Sequence, residues 1–499
     1  MHCALPKEFT GLSWNVDFNV PLMNRMFHVY ELEDESHFIM DGEEMFLVYC
    51  DDLESDIAAS EISINPKTTD ITPISSFETG NIIPLYIDET GIELEDIELI
   101  HGVLEEGIFK IEIIDPRPEI EEMEIICYDI LDQEGQPFQV RITDFTTSVY
   151  SFDLSGFSIG DVENDQVLDY LEFFVQTTSE EFFYDLLYLR IFFDEPLYFS
   201  YFRGYLENKR IRLNDTILAN DINFPINISN AFQFDEGTLE LTFSNELGFD
   251  TQFIGTITGV NEKDQKIYAL YITEEDLVVF YRAVGIDTPT TTTVSITKPE
   301  VTDLINIFPE EMLIEESYFI LGNSDQMPGF ALASDKNSGS FTLKTPSIFS
   351  VSNETVVPDS IYTLEITETN RDYIEKYTEM VYLNITLENT IPVGLSIDIY
   401  FSEVSDTLFI FNPDIYPEIH SIKFAENYVS GAVNDSEPTK NEIDFLLERQ
   451  EIELFLNETI YYAFKITFDE SIGTVTVLPD NYLRLISKLG INLNVDLDM

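Results

Sequence analysis

The stretch "TLELTFSNELGFDTQFIGTITG", Thr238 to Gly259, has a counterpart later in the chain, "YLNITLENTIPVGLSIDIYFSE", Tyr382 to Glu403. Leu239, Leu241 and Phe243 match Leu383, Ile385 and Leu387, Asn245 matches Asn389, and Leu247 matches Ile391. Each unit alternates apolar and polar residues, breaks at an Asn followed by Gly or Pro, then alternates again. Period-two alternation marks a strand with one buried face. Asn tolerates turn conformations, and Gly and Pro punctuate strands. The pair therefore reads as an approximate internal repeat of strand, break and strand. A weaker echo lies in "YLEFFVQTTSEEFFYDLLYLRIFF", Tyr170 to Phe193.

Working outward, the same grammar fills the chain. "LSWNVDFNVPL" alternates strictly from Leu12 to Leu22, and "EMFLVYC", "IIPLYI", "GIFKIEII", "EIEEMEIICYDIL" and "FQVRITDF" follow as strands. "NPKTTD" and "DPRPE" are turn-prone breaks between them. "YYAFKITF", "GTVTVL" and "YLRLISKLGINLNVDL" close the chain as strands. Two short helices are expected. One is in "ITEEDLVVFYRAVG", where Thr273 and Asp276 make a capping-box-like opening, and the other is in "LERQEIELFLNE". No βαβ alternation appears, so the expected fold is mainly β: multiple antiparallel β-sandwich-like domains with a few short helices. The 499 residues divide into an N-terminal β domain at 1–148, a first sandwich-like repeat with short helices at 149–290, and a second repeat with closing strands at 291–499. The Thr-rich "DTPTTTTVSITKP", 287–299, is the best linker, although its "TVSIT" reads equally as a strand.

The chain is 44% hydrophobic with 39 Phe and 25 Tyr, enough to bury sizeable cores. It carries 94 Asp and Glu against 25 Lys and Arg, a formal net charge of −69. That field repels nucleic-acid phosphates and anionic membrane surfaces and attracts cations, Ca²⁺ among them. The three cysteines, Cys3, Cys50 and Cys127, make no CxxC. Cys50 and Cys127 sit in strand-like runs, read as buried thiols, with a disulfide open to them in an oxidising compartment. No apolar run is long enough for a transmembrane helix, and no complete signal peptide is present in the sequence.

Chemistry-bearing motifs are sparse. "GFSIG", Gly156 to Gly160, fits G-x-S-x-G, whose nucleophile elbow needs a strand before Ser158 and a helix after it. "VYSFDL" and "DQVLDYLEFF" loosely offer both, but the only downstream histidine is His420, and a plain turn is the simpler reading. "DVENDQVLDYLE" places Asp161, Glu163, Asp165, Asp169 and Glu172 at EF-hand loop positions, with Gln166 where the turn glycine belongs. "SDKNSG", from Ser334, is a weaker carboxylate-and-amide loop read as a surface turn. Histidines are scattered, and there is no P-loop or G-x-G-x-x-G. N-x-S/T occurs at Asn214, Asn227, Asn353, Asn384, Asn434 and Asn457, which matters only in a secretory host.

Cys3, a short Pro-containing spacer and "SWNVDFNVPLMNRMF" resemble the mature start of uncharacterised β-rich envelope lipoproteins of Gram-negative bacteria. "SNELGFDTQF" and "ENTIPVGLSIDIYF" are similar to their sandwich modules. The resemblance touches the first thirty or so residues and the two repeat units. It implies that Cys3 is lipidated and tethers the protein to a membrane, with localisation at the periplasmic outer membrane or cell surface. His2 departs from the small residue signal peptidase prefers before such a cysteine. The family supplies no activity. The expected function is thus a non-enzymatic envelope or extracellular protein with a binding or structural role and no nucleic-acid partner. A carrier enclosing a lipid or other apolar ligand in a curved sheet is the alternative, and a serine hydrolase at Ser158 is a further one.

Overall fold

The computed structural model describes residues 13–28, 38–41, 44–55, 62–64, 66, 68–74, 81–87, 96–114, 120–160, 166–179, 187–213, 216–219, 224–322, 327–335, 337–357, 361–405, 418–422, 439–447 and 449–496. Strands dominate, and every ladder among the described residues is antiparallel. The sheets pack in facing pairs as three sandwiches.

In the first, a nine-stranded sheet runs in the order Gly329–Leu332, Leu197–Glu207, Asp96–Glu106, Ser158–Gly160, Ile120–Leu131, Tyr170–Ser179, Asn81–Tyr86. Pro137–Ile142 and Ser63–Ile64 attach at its side. It faces a four-stranded sheet of Val149–Asp153, Ile108–Ile114, Leu187–Phe193 and Thr72–Ile74. The two meet at Phe109, whose ring stacks on Phe173 at 4.9 Å and meets Phe138 edge-on at 5.3 Å.

The second sandwich pairs a five-stranded sheet (Phe38–Asp41, Glu44–Ser55, Asn337–Pro346, Thr238–Asn245, Thr290–Ile296) with a six-stranded one. The latter is built on Glu311–Gly322, Asp250–Asn261 and Lys266–Ile272. Phe243 bridges them, 4.5 Å from Phe280 and 5.3 Å from Phe319. The third pairs Ser13–His28, Tyr482–Asp496, Thr378–Asn389 and Thr439–Leu447 with a sheet centred on Thr459–Phe468 and Leu395–Ser402. Leu383, Ile385, Leu387, Ile397 and Phe401 share its core. A small sheet of Phe232–Phe234, Ile348–Val351 and Val475–Thr476 joins the second sandwich to the third.

The two matched stretches take one local form. Each Asn ends a strand of one sheet, and the chain then arches over to a strand of the facing sheet. Asn245 is buried; its Oδ1 accepts the Leu247 N–H at 2.9 Å and its Nδ2 donates to the Phe249 carbonyl at 2.9 Å. Asn389, also buried, accepts from Ile391 N–H at 2.5 Å and donates to Val393 O at 3.4 Å. A side-chain amide can satisfy a donor and an acceptor at once where the ladder stops, which is what a buried arch requires. In the weaker echo, Tyr170–Ser179 and Leu187–Phe193 likewise lie in opposite sheets of the first sandwich.

Several expectations change. Pairing crosses both expected domain boundaries: Ile108–Ile114 pairs with Val149–Asp153 across 148/149, and Thr238–Asn245 pairs with Thr290–Ile296 across 290/291. A single apolar cluster extends from Leu47 to Leu343. The Thr-rich segment is therefore mostly strand. The capping box at Thr273 forms, with the Asp276 carboxylate accepting the Thr273 N–H at 2.7 Å, but it opens one 3₁₀ turn, Glu274–Asp276. Leu277 then turns left-handed and Val279–Phe280 joins the sheet, because burying Phe280 against Phe243 and Phe319 outweighs local helix propensity. The later helix forms at Arg449–Leu454. Cys127 is buried, and burial pushes its thiol up to about 12. Cys50 is exposed, and no disulfide joins the two.

Candidate functional site

Cys3 and the loop residues Asp161, Glu163 and Asp165 lie outside the described residues. Asp169 and Glu172 are described and exposed, but Asp169 leads into a strand and Glu172 lies within it. Leu171, Phe173 and Val175 alternate into the core, so the helix that should follow an EF-hand loop is a ladder here. The Asp169 carbonyl accepts from Ile87, and the Glu172 N–H donates to the Asp129 carboxylate at 3.1 Å. Among the described residues no group of three or more His, Cys, Asp or Glu is placed to hold a metal.

Ser158 starts a three-residue strand, paired to Val103 on one side and Leu131 on the other. Among the described residues the next element is the strand Tyr170–Ser179, not a helix, so a turn and a ladder stand where a strand–turn–helix elbow was expected. His420 lies on Glu418–Ile422 in the third sandwich. The motif's glycines have structural duties. Gly156 and Gly160 both take positive φ, 82° and 93°, and a Cβ at Gly160 would run into the Ile100 carbonyl oxygen.

The loop expected as a surface turn at Ser334 is half right. Asp335 is buried and its carboxylate accepts the Leu332 N–H at 2.7 Å. Burial, with Glu246 and Asp287 nearby, pushes it up to about 6.

A surface that the sequence did not announce stands out. On the outer face of the nine-stranded sheet, Ile82, Pro84 and Tyr86 line the edge strand, and Tyr170, Glu172 and Phe174 line its neighbour. Ile126 and Tyr128 follow on the next strand, with Ile126 opposite Phe174. These side chains share one face because strand side chains alternate. Ile82 is 59% exposed, Tyr86 52%, Tyr128 65% and Tyr170 40%. The Tyr86 and Tyr170 rings meet at 5.9 Å, tilted by 60°. Contiguous exposed apolar and aromatic surface of this kind commonly marks an interaction site. At the tyrosine end the described charges are Asp129, Asp132, Glu134, Asp169 and Glu172, all acidic. These three strands carry no Lys or Arg; Arg141, on the adjoining Pro137–Ile142, is at the far end, 2.9 Å from Glu124. Pro84, which has no N–H to offer, sits on the edge strand and blunts it against strand addition. The face, rather than the edge, is what this side of the sandwich presents.

No protein-family profile and no curated protein matches the chain. Among solved structures, a presumed secreted protein of Parabacteroides distasonis matches at 11% identity and a TM-score of 0.31, over 58% of this chain and 88% of that one. An infectious bursal disease virus structure, Gx strain, matches at 7% identity and TM-score 0.14, over 92% and 82%. The VP2 subviral particle of the same virus gives 6% identity and TM-score 0.15, over 92% and 84%. At these scores the likenesses identify neither a family nor a function. No helix among the described residues is long and apolar enough to cross a membrane.

Proposed function

We propose that this chain is a non-enzymatic protein of the bacterial envelope or exterior, tethered through Cys3, that binds a partner with the outer face of its first sandwich. The observation that carries the binding reading is the exposure of Tyr86, Tyr128, Tyr170 and Ile82 on one continuous sheet face. A large apolar surface left facing water forgoes burial of roughly 25 cal/mol per Å², and a partner recovers it. The envelope reading rests on the resemblance of the opening strand to lipoprotein starts. The alternative of an internal apolar-ligand carrier needs a gap between sheets. In the first sandwich the facing sheets instead meet ring to ring at Phe109 and Phe173.

The test is tyrosine footprinting, on intact cells of the source organism and on the purified protein. Protection of Tyr86, Tyr128 and Tyr170 in the cells alone is the expected result. Equal labelling in both settings overturns the interface. The mass of the N-terminal peptide from the same cells separates the second half of the proposal: diacylglycerol on Cys3 is expected, and an unmodified cysteine removes the tether while leaving the interface standing.

A further inference from the structure

We infer that the partner of this face is a protein segment bearing Arg or Lys side chains, which seat over the exposed tyrosines; the inference rests on the interface reading above. Three observations converge. First, Tyr86, Tyr128 and Tyr170 leave much of their aromatic surface in water, and a cation over a ring face is attracted to the ring quadrupole. Second, the chain uses this chemistry on itself elsewhere. Arg190 lies over Phe192 at 5.3 Å and Lys465 over Tyr400 at 4.8 Å. Among the described residues no Lys or Arg covers the three tyrosines of the candidate face. Third, the charges at that end are Asp129, Asp132, Glu134, Asp169 and Glu172, with no described cation on the strands that carry them.

The arrangement discriminates among partners. With 94 acidic residues against 25 basic ones, the chain has few cations of its own to offer this face. An anionic segment meets repulsion from both the local rim and the whole-molecule field. A neutral apolar segment gains the rings but leaves the carboxylates idle. A cationic segment uses both: guanidinium or ammonium groups over the rings, and Glu172 and Asp169 as exposed acceptors at their margin. The outer face of the six-stranded sheet is the natural control. Ile267 and Tyr271 are 71% and 63% exposed there, with Glu311 and Glu315 two strands away and the Lys298 ammonium donating to the Tyr271 carbonyl at 2.6 Å.

The experiment uses the full chain and a fluorescent peptide of alternating Arg and Gly, read by anisotropy at physiological salt. The wild type is expected to give saturable one-to-one binding. Tyr86→Ala/Tyr128→Ala/Tyr170→Ala is expected to weaken it about tenfold or more, ~1.4 kcal/mol. The Tyr→Phe triple variant keeps the rings and should bind nearly as the wild type, which excludes a folding defect. Ile267→Ala/Tyr271→Ala should leave binding unchanged. Equal loss, or no loss, in both sets of variants overturns the inference, because it assigns the attraction to the diffuse field. If a neutral aromatic peptide binds more tightly than the cationic one and depends on the same tyrosines, the cationic partner is overturned while the interface stands. If footprinting shows no protection in cells, the interface itself falls, whatever the peptide does.

Discussion

Asn245 and Asn389 show how single side chains hold this fold at its weakest places. Where a strand leaves one sheet for the other, the ladder ends and backbone groups in the arch lose their partners. The Asn245 amide supplies both a donor and an acceptor inside the core. Asn245→Ala should therefore cost ~1–3 kcal/mol in urea unfolding, the usual penalty for stranding buried groups. Asn245→Asp should also destabilise, since it removes the donor to Phe249 O. Tyr49 is the opposite case. It is buried, and among the described residues its hydroxyl has no hydrogen-bond partner. Tyr49→Phe removes an unsatisfied polar group and should raise stability by about 1 kcal/mol. Asp335 adds a pH signature. Its folded-state pKa is raised to about 6, so its contribution is fully present below the ordinary aspartate range and is lost as pH climbs through 6. Asp335→Asn keeps an acceptor for the Leu332 N–H. The variant should match the wild type near pH 3.5 and be the more stable at pH 7, in denaturation curves taken across that window.

At the scale of elements, what the sequence makes legible is what is local. Alternation in "EIEEMEIICYDIL" or "YLRLISKLGINLNVDL" depends only on neighbours along the chain, and both form strands. The Asn breaks are legible for the same reason. Two kinds of feature are not. One is competition between local and distant terms: "ITEEDLVVFYRAVG" caps like a helix, but Phe280 has a place between sheets, and one turn is all that survives. "DQVLDYLEFF" fails as a helix in the same way, with Phe173 stacked on Phe109. The other is adjacency across strands. Tyr86 and Tyr170 are neighbours only because Asn81–Tyr86 pairs with Tyr170–Ser179, and no spacing within either segment reveals it. Apolar residues on both faces of "IIPLY" and "DYLEFFV" were the available hint, and it reads equally as a fully buried strand. The "GFSIG" element is decided by the same logic. Gly160 takes a left-handed φ against the Ile100 carbonyl, so Gly160→Ala should destabilise by ~2 kcal/mol or more. Ser158→Ala should change stability by less than ~1 kcal/mol. The reverse ranking would mean that the glycines are dispensable and would reopen the elbow reading.

Across the whole molecule, the first described strand, Ser13–His28, pairs along its length with the last, Tyr482–Asp496, so strands far apart in sequence close the third sandwich. Folding must bring these distant strands together under a net charge of −69, and self-repulsion opposes every such compaction. The few cations are spent on cross-strand and nearby pairs, among them Arg190 with Glu112, Lys110 with Asp194 and Arg484 with Glu388. These pairs are half-buried and few, and they leave most of the carboxylates without a cation. Added salt shortens the range of the repulsion, from about 30 Å at 0.01 M to about 3 Å at 1 M. The melting temperature should rise steadily with NaCl, and an unchanged value across that range would mean that the acidic surface costs the fold nothing. Divalent ions sharpen the test. Diffuse screening treats Ca²⁺ and Mg²⁺ alike at matched ionic strength. A carboxylate cage built from Asp161, Glu163, Asp165, Asp169 and Glu172 would favour Ca²⁺, whose larger, flexible shell takes six to eight oxygens. Since Asp169 leads into a strand and Glu172 lies within it, where an EF-hand would have a helix, the expected outcome is equal stabilisation by the two ions. A melting temperature that climbs for Ca²⁺ alone at millimolar concentration would assign a specific site to that loop.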